Sequence, residues 1–197
     1  MQIDPALQTT HDNYRLLVHS VVPRPIGWIS TVDPEGAVNL APFSYFGAVT
    51  ALPPTLMLSV GRRRGVRKDT AANLLATGEG VVHIPHRPLA EQMVKTSIEA
   101  APDVDEFDFA ALGRAPSVRV RPPRVACAAI AFECRVASHQ EIGGGPNDVF
   151  FLEILLVHVA DEVLVDGWPD PARLRAVGRL GGDGYCDTAA PFFIPRP

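Results

Sequence analysis

Five basic side chains crowd into seven positions at Arg62-Arg63-Arg64-Gly65-Val66-Arg67-Lys68. The run follows a strand-like stretch and leads into Asp69–Ala76. There Ala71, Ala72, Leu74 and Leu75 suit a helix, Asp69 or Thr70 would cap it, and Gly78 lies beyond its end. A helix start offers unpaired backbone N–H groups and the positive end of the dipole, which together suit a phosphate. Arg and Lys beside it add charge-assisted hydrogen bonds. A solvated basic turn is the other reading of the same residues. A second segment, Asn39-Leu40-Ala41-Pro42-Phe43-Ser44-Tyr45-Phe46, alternates polar groups with aromatics. That would fit a planar ring held by its edge and covered on its face, although Tyr and Phe equally suit a strand core. In a third segment, Arg24 to Thr31, Pro23 and Pro25 fix an extended lead-in to a strand. Trp28 there can pack in the core or beside a cofactor.

Other chemistries lack their signatures. The chain has no G-x-G-x-x-G dinucleotide fingerprint, no G-x-x-x-x-G-K-[ST] loop and no G-x-S-x-G elbow. His83 and His86 form His-x-x-His across Pro85, but no helix puts them on one face and no further ligand sits nearby. His139 reads as an exposed loop residue or one facing a substrate. The acidic run Asp103–Asp108 reads as a solvated loop or a mobile lid. Cys127 and Cys134 fall in one apparent strand, so about 20 Å separates them at about 3.3 Å per residue. That is too far for a disulfide, whose Cα atoms lie within about 7 Å, and the third cysteine, Cys186, leaves an odd count.

The elements that must hold these residues read mostly as short strands. Residues 12–20 suit a short helix capped by Asp12. Strands are expected at Ile26–Val32, Ala37–Leu40, Phe43–Val49, Thr55–Val60 and Gly80–Ile84, with a hairpin turn at Asp33-Pro34-Glu35-Gly36. Leu89–Ala100 is the longest helix expected, opening on Pro88. Val125–Ser138 and Val149–Val159, joined by a connection containing Gly143-Gly144-Gly145-Pro146, make an antiparallel pair.

The bulk properties agree. Hydrophobic residues at 47% and charged residues at 20% are the balance of a folded globular chain, and 197 residues can bury a core as one domain, 1–197. The 19 prolines and 16 glycines favour many short strands over a helix bundle. A net charge of −4 gives a poor footprint for nucleic acid. No apolar run approaches a membrane span, and the first ten residues lack a signal peptide's layout. A cytoplasmic protein is expected.

Taken in order, the segments RPIGWISTVDPEG, VNLAPFSYF, PPTLMLSVG and KDTAANLLATGEGVVHI resemble the flavin reductase-like, FMN-binding split-barrel family of flavoredoxins and NAD(P)H:flavin oxidoreductase components. The pattern resumes at Pro122-Pro123-Arg124-Val125 and at Arg179-Leu180-Gly181-Gly182-Asp183-Gly184-Tyr185-Cys186, so it covers about residues 14–190. The resemblance implies a mainly β protein, an antiparallel split β-barrel of Greek-key type with two or three short helices. It also implies FMN in a groove at a homodimer interface. Ser30 and Thr31 would approach the ring or ribityl chain, and Ser44, Tyr45 and Phe46 would line the ring. Ser59, Gly61, Arg67, Lys68 and Thr70 would hold the ribityl and phosphate end, with Asn39 and Tyr185 as further contacts. The expected activity is electron transfer from NAD(P)H to a small acceptor or free flavin. No side chain is nominated as acid, base or nucleophile, because the flavin itself carries the hydride. A flavin-binding electron carrier or sensor without NAD(P)H turnover is the alternative.

Overall fold

The computed structural model describes residues 1–99 and 104–195. Along the chain come α1 (Thr10–Ser20), β1 (Arg24–Pro25), β2 (Gly27–Val32), β3 (Val38–Phe43), β4 (Phe46–Ala51) and β5 (Pro54–Val60). Then follow α2 (Asp69–Thr77), β6 (Glu79–His83), α3 (Ala90–Lys95), α4 (Glu106–Phe109), β7 (Arg114–Ala115) and β8 (Arg124–Val125). The last third holds β9 (Ile130–Ile142), β10 (Asn147–Val159), β11 (Leu164–Val165), β12 (Trp168–Pro169), α5 (Pro171–Leu174), β13 (Val177–Arg179) and β14 (Tyr185–Asp187).

Seven strands form one antiparallel sheet in the order β3-β2-β6-β9-β10-β5-β4. Its two edges, β3 and β4, are separated in sequence by Ser44 and Tyr45 alone. A flat sheet cannot satisfy that, so it curls until the edges approach. The two 13-residue strands β9 and β10 carry the bend, with register shifts at Phe151/Leu152 and Ile154/Leu156. β4 closes on the far side of the sheet where its Phe46 ring lies over Gly27 of β2, the strand next to the β3 edge. A Cβ at Gly27 would meet the Phe46 ring at 2.8 Å, so no larger residue fits. Among the described residues β3 and β4 are not paired with each other, which makes the barrel split.

Alternation along each strand sends successive side chains to opposite faces. One face fills the barrel: Phe43, Ile29, Val82, Cys134, Phe150, Leu58 and Phe46, from all seven strands, pack with Ala71 and Leu74 of α2. The opposite face, Trp28 and Leu40, is covered by Leu89, Met93, Phe107 and Leu112. No helix among the described residues is long and apolar enough to cross a membrane. A separate sheet, β1-β13-β14, sits beside the barrel.

Several local expectations need correction. Thr9, not Asp12, caps α1, accepting the Asp12 N–H, and Lys68 rather than Asp69 or Thr70 occupies the cap position of α2. The helix expected at Leu89–Ala100 is shorter: a 3-10 turn at Arg87–Leu89 leads into α3, and Thr96 ends it by donating its hydroxyl to the Met93 carbonyl. Ala100 and Asp103 lie outside the described residues. The rest of the acidic run is not a solvated loop. It contains α4, with Glu106 buried and accepting the Leu40 N–H at 3.0 Å. Burial pushes the Glu106 carboxyl up, partly offset by that bond. Cys127 precedes β9 and is exposed, whereas Cys134 is buried in it. Burial pushes the Cys134 thiol up to about 12.

Candidate functional site

The turn between β5 and α2 is tight. Arg63 and Val66 exchange two backbone bonds of 2.8 Å, and Arg64 and Gly65 between them both have positive φ. That geometry is the type I′ turn, where glycine is favoured at the second position. The turn delivers the chain to Lys68, the N-cap of α2, whose side chain has no acceptor and makes no capping bond. The first-turn amides therefore have no side-chain partner, and an anion would complete them.

The basic cluster is only partly free. Arg62 reaches Asp148 at 3.1 Å and Glu141 at 2.8 Å. Arg67 reaches Asp148 at 3.1 Å and also pairs with Glu141, and Arg63 pairs with Glu99. Among the described residues, Arg64 and Lys68 have no carboxylate partner. Lys68 Nζ lies 5.7 Å from the Phe43 ring centroid. The Asp148 side chain is wholly buried at the end of the barrel and takes a third bond from His139 Nε2 at 2.9 Å. Burial pushes its carboxyl up, but the bonds from Arg62, Arg67 and His139 outweigh this and bring it down to about 2. His139 is thus not an exposed loop residue: it lies in β9, with its ring 4.8 Å from that of Phe150.

Beside the start of α2 sits a polar knot. Thr31 Oγ1 accepts from Asn73 Nδ2 at 3.1 Å and from Asn39 Nδ2 at 3.4 Å, and Asn39 Nδ2 also donates to Thr70 Oγ1 at 2.8 Å. Asn39, Ala41 and Phe43 alternate along β3 on its barrel face, a row running from Thr70 towards Lys68. Just before β4, the Tyr45 carbonyl accepts the Ser59 N–H of β5 at 2.8 Å. Ser59 Oγ accepts from Asn147 Nδ2 at 3.2 Å, and the same Asn147 flanks Gly61. Phe46 is buried in the core, and burial followed by the nearby Tyr14 raises the Tyr45 phenol. The arrangement places an open helix start beside the polar groups of Thr31 and Asn39 and the Phe43 ring, with Ser44 and Tyr45 continuing directly from β3.

Two nominated residues stand apart. Ser30 is buried on the opposite face of β2, where its hydroxyl donates to the Pro123 carbonyl at 2.6 Å. Tyr185 lies on β14 with the Arg179 guanidinium 4.4 Å from its ring. Two strand spacings, about 10 Å, separate β14 from Arg24 on β1. Arg24 itself was not singled out in the sequence, yet it joins the parts. Its buried guanidinium donates to the carbonyls of Val18 and Val21 at the end of α1, to the Leu180 carbonyl, and to Ser44 Oγ at 3.3 Å. A cation placed just after a helix end was the available signal. Asn73, Asn147 and Asp148 carried none.

Comparison with known proteins follows this geometry. The profile described as flavin reductase like domain matches residues 18–168. The protein BH2278 of Halalkalibacterium halodurans is 39% identical, over 100% of this chain and 97% of its own. Nitrilotriacetate monooxygenase component B from Bacillus cereus superposes with a TM-score of 0.95 at 34% identity, covering 98% of each chain. The 2-nitrobenzoate 2-nitroreductase NbaA of Pseudomonas fluorescens gives 0.86 at 27% identity, over 100% of this chain and 96% of that one.

Proposed function

The chain belongs to the flavin reductase-like family, and from that premise we propose that it is one FMN-binding domain that transfers electrons from NAD(P)H to a small acceptor or free flavin, as a cytoplasmic homodimer. The observation that carries the FMN reading is the α2 start, a helix whose cap is a lysine that makes no capping bond and, among the described residues, has no carboxylate partner. Lys68, Thr70 and the first-turn amides would hold the phosphate, with Arg64 adding charge. Asn39, Thr31, Ser59 and Gly61 would meet the ribityl chain, and Ser44, Tyr45 and Phe46 the ring. Arg67, committed to Asp148 and Glu141, contributes mainly by fixing the turn. When bound, the flavin supplies the hydride chemistry. The chain's own work is to bind it, orient it and exclude water.

The relatives named above include a monooxygenase component and a nitroreductase, which supports a diffusible acceptor. Anaerobic NADH or NADPH should bleach the flavin absorbance within seconds to minutes. Flavin that binds but stays oxidised with both would instead support the electron carrier.

Replacing Lys68 by Ala should weaken FMN by about ten- to a hundredfold, the cost of a charge-assisted bond of roughly 1.5–3 kcal/mol. Riboflavin, which lacks the phosphate, should bind almost as before. Calorimetric titration of both flavins checks this, and equal FMN affinity in the two proteins would remove Lys68 from the site.

The homodimer is supported by exposed apolar side chains, Leu17, Val21, Val22, Val49 and Leu52, and by β4, an unpaired sheet edge. Two-fold pairing is the commonest way to cover such surface.

A further inference from the structure

Beyond β14 runs an unusual arm. Phe192, Phe193 and Ile194 follow one another at 85%, 79% and 77% exposure, in an extended stretch flanked by Pro191 and Pro195. Single exposed apolar residues are ordinary, but three in a row are not. The prolines restrict the arm's conformations, so docking it loses less entropy than docking a flexible tail. Its root is fixed: Thr188 Oγ1 donates to the Pro171 carbonyl at 2.5 Å and accepts the Ala176 N–H at 3.1 Å.

The strand from which the arm departs is also one wall of an open groove of about 700 Å³. Ala90 and Val94 of α3 face Val177, Tyr185 and Cys186 across it, an apolar and aromatic strip that matches the arm, and the charged Arg87, Glu91, Lys95 and Asp187 complete the lining. From Asp187 on the groove wall to Phe192 is five residues, a reach of at most about 17 Å. That would carry the arm onto a copy paired beside β14.

We propose that Phe192–Ile194 of each chain docks in the α3/β14 groove of a second copy, a reciprocal exchange that closes both grooves at once. The inference rests on the homodimer reading above. Two-fold symmetry makes the exchange self-complementary: each protomer gives an arm and receives one, with no open end left to propagate.

Light scattering over a dilution series, with FMN present, compares the full chain with a Phe192→Ser/Phe193→Ser variant. The full chain should be dimeric at micromolar concentration. Each ring lost should weaken the dimer about tenfold or more, and the variant dimer loses four, two from each arm, so it should dissociate at about ten-thousandfold higher concentration. A monomeric full chain would overturn the homodimer and the exchange together. A full chain and variant with the same dimer affinity would overturn the exchange and leave the homodimer standing. A Phe193→Cys chain in a Cys127→Ser background should, on oxidation, form a species of twice 21.2 kDa through the partner's Cys186. A bond from position 193 to Cys186 within one chain would place the arm in its own groove and also overturn the exchange.

Discussion

Replacing Asp148 by alanine should destabilise the fold by about 3–5 kcal/mol, the usual cost of removing one partner from a buried ion pair. The carboxylate has no solvent exposure and is held from three sides, by Arg62, Arg67 and His139. Without it Arg62 and Arg67 keep, among the described residues, only Glu141, whose side chain is 44% exposed, and His139 loses the carboxylate on its Nε2. The loss should therefore far exceed that for the exposed Arg135–Glu153 pair, worth under about 1 kcal/mol. Urea midpoints of wild type, Asp148→Ala and Arg135→Ala measure both. Flavin affinity should fall too, and for riboflavin as well as FMN, because Asp148 anchors the turn that presents α2. That lack of discrimination separates it from Lys68. A drop below about 1 kcal/mol for Asp148→Ala would mean that the network is solvated. The sign with pH also follows. A carboxyl held at about 2 in the fold, below its ordinary value near 3.8, stabilises above that ordinary value, and the contribution is lost as pH falls towards 2.

Local signals were legible where neighbouring residues settle the geometry. The Asp33–Gly36 turn forms as read, with the Ala37 N–H donating to Asp33 Oδ1 at 2.7 Å and Gly36 at positive φ. Gly78 ends α2 in the left-handed region, and the two long strands pair around the Gly143–Pro146 connection. The resemblance across ordered segments supplied the barrel, which no single strand could. Apart from the caps of α1 and α2, missed by one to three positions, the failures are long-range. Asp148 finds Arg62 86 positions away and Arg67 81 away. Glu106 leaves an acidic run because the Leu40 amide, 66 positions away, needs an acceptor inside the fold. Thr96 stops α3 where the Trp28 indole N–H also requires its oxygen, at 2.8 Å. In each case a buried polar group had to be satisfied by a distant partner, and spacing along the chain carries no record of that.

His83 should make the protein sensitive to mild acid. Its ring is fully buried, with Nδ1 2.8 Å from the Trp28 carbonyl and Nε2 3.0 Å from the Val125 amide. Only a neutral ring protonated on Nδ1 satisfies both, since Nε2 must accept. Burial pushes the imidazole down to about 4, against the pull of the Trp28 carbonyl. Between pH 6.5 and 4 the unfolded chain thus binds a proton that the folded chain refuses, and stability falls as pH falls. By pH 4 the loss from this group reaches about 3 kcal/mol. His86, pushed down chiefly by its own burial, acts in the same direction. Glu106, pushed up, acts in the opposite one, binding its proton more readily folded than unfolded. A His83→Gln chain removes one contribution and leaves those two. The stability difference between wild type and His83→Gln, from urea unfolding at intervals between pH 7 and 4, should shrink by about 3 kcal/mol on acidification. Should the variant not fold, the nitrogen shifts of the wild-type ring report directly, and a His83 charged at pH 5.5 would refute the assignment.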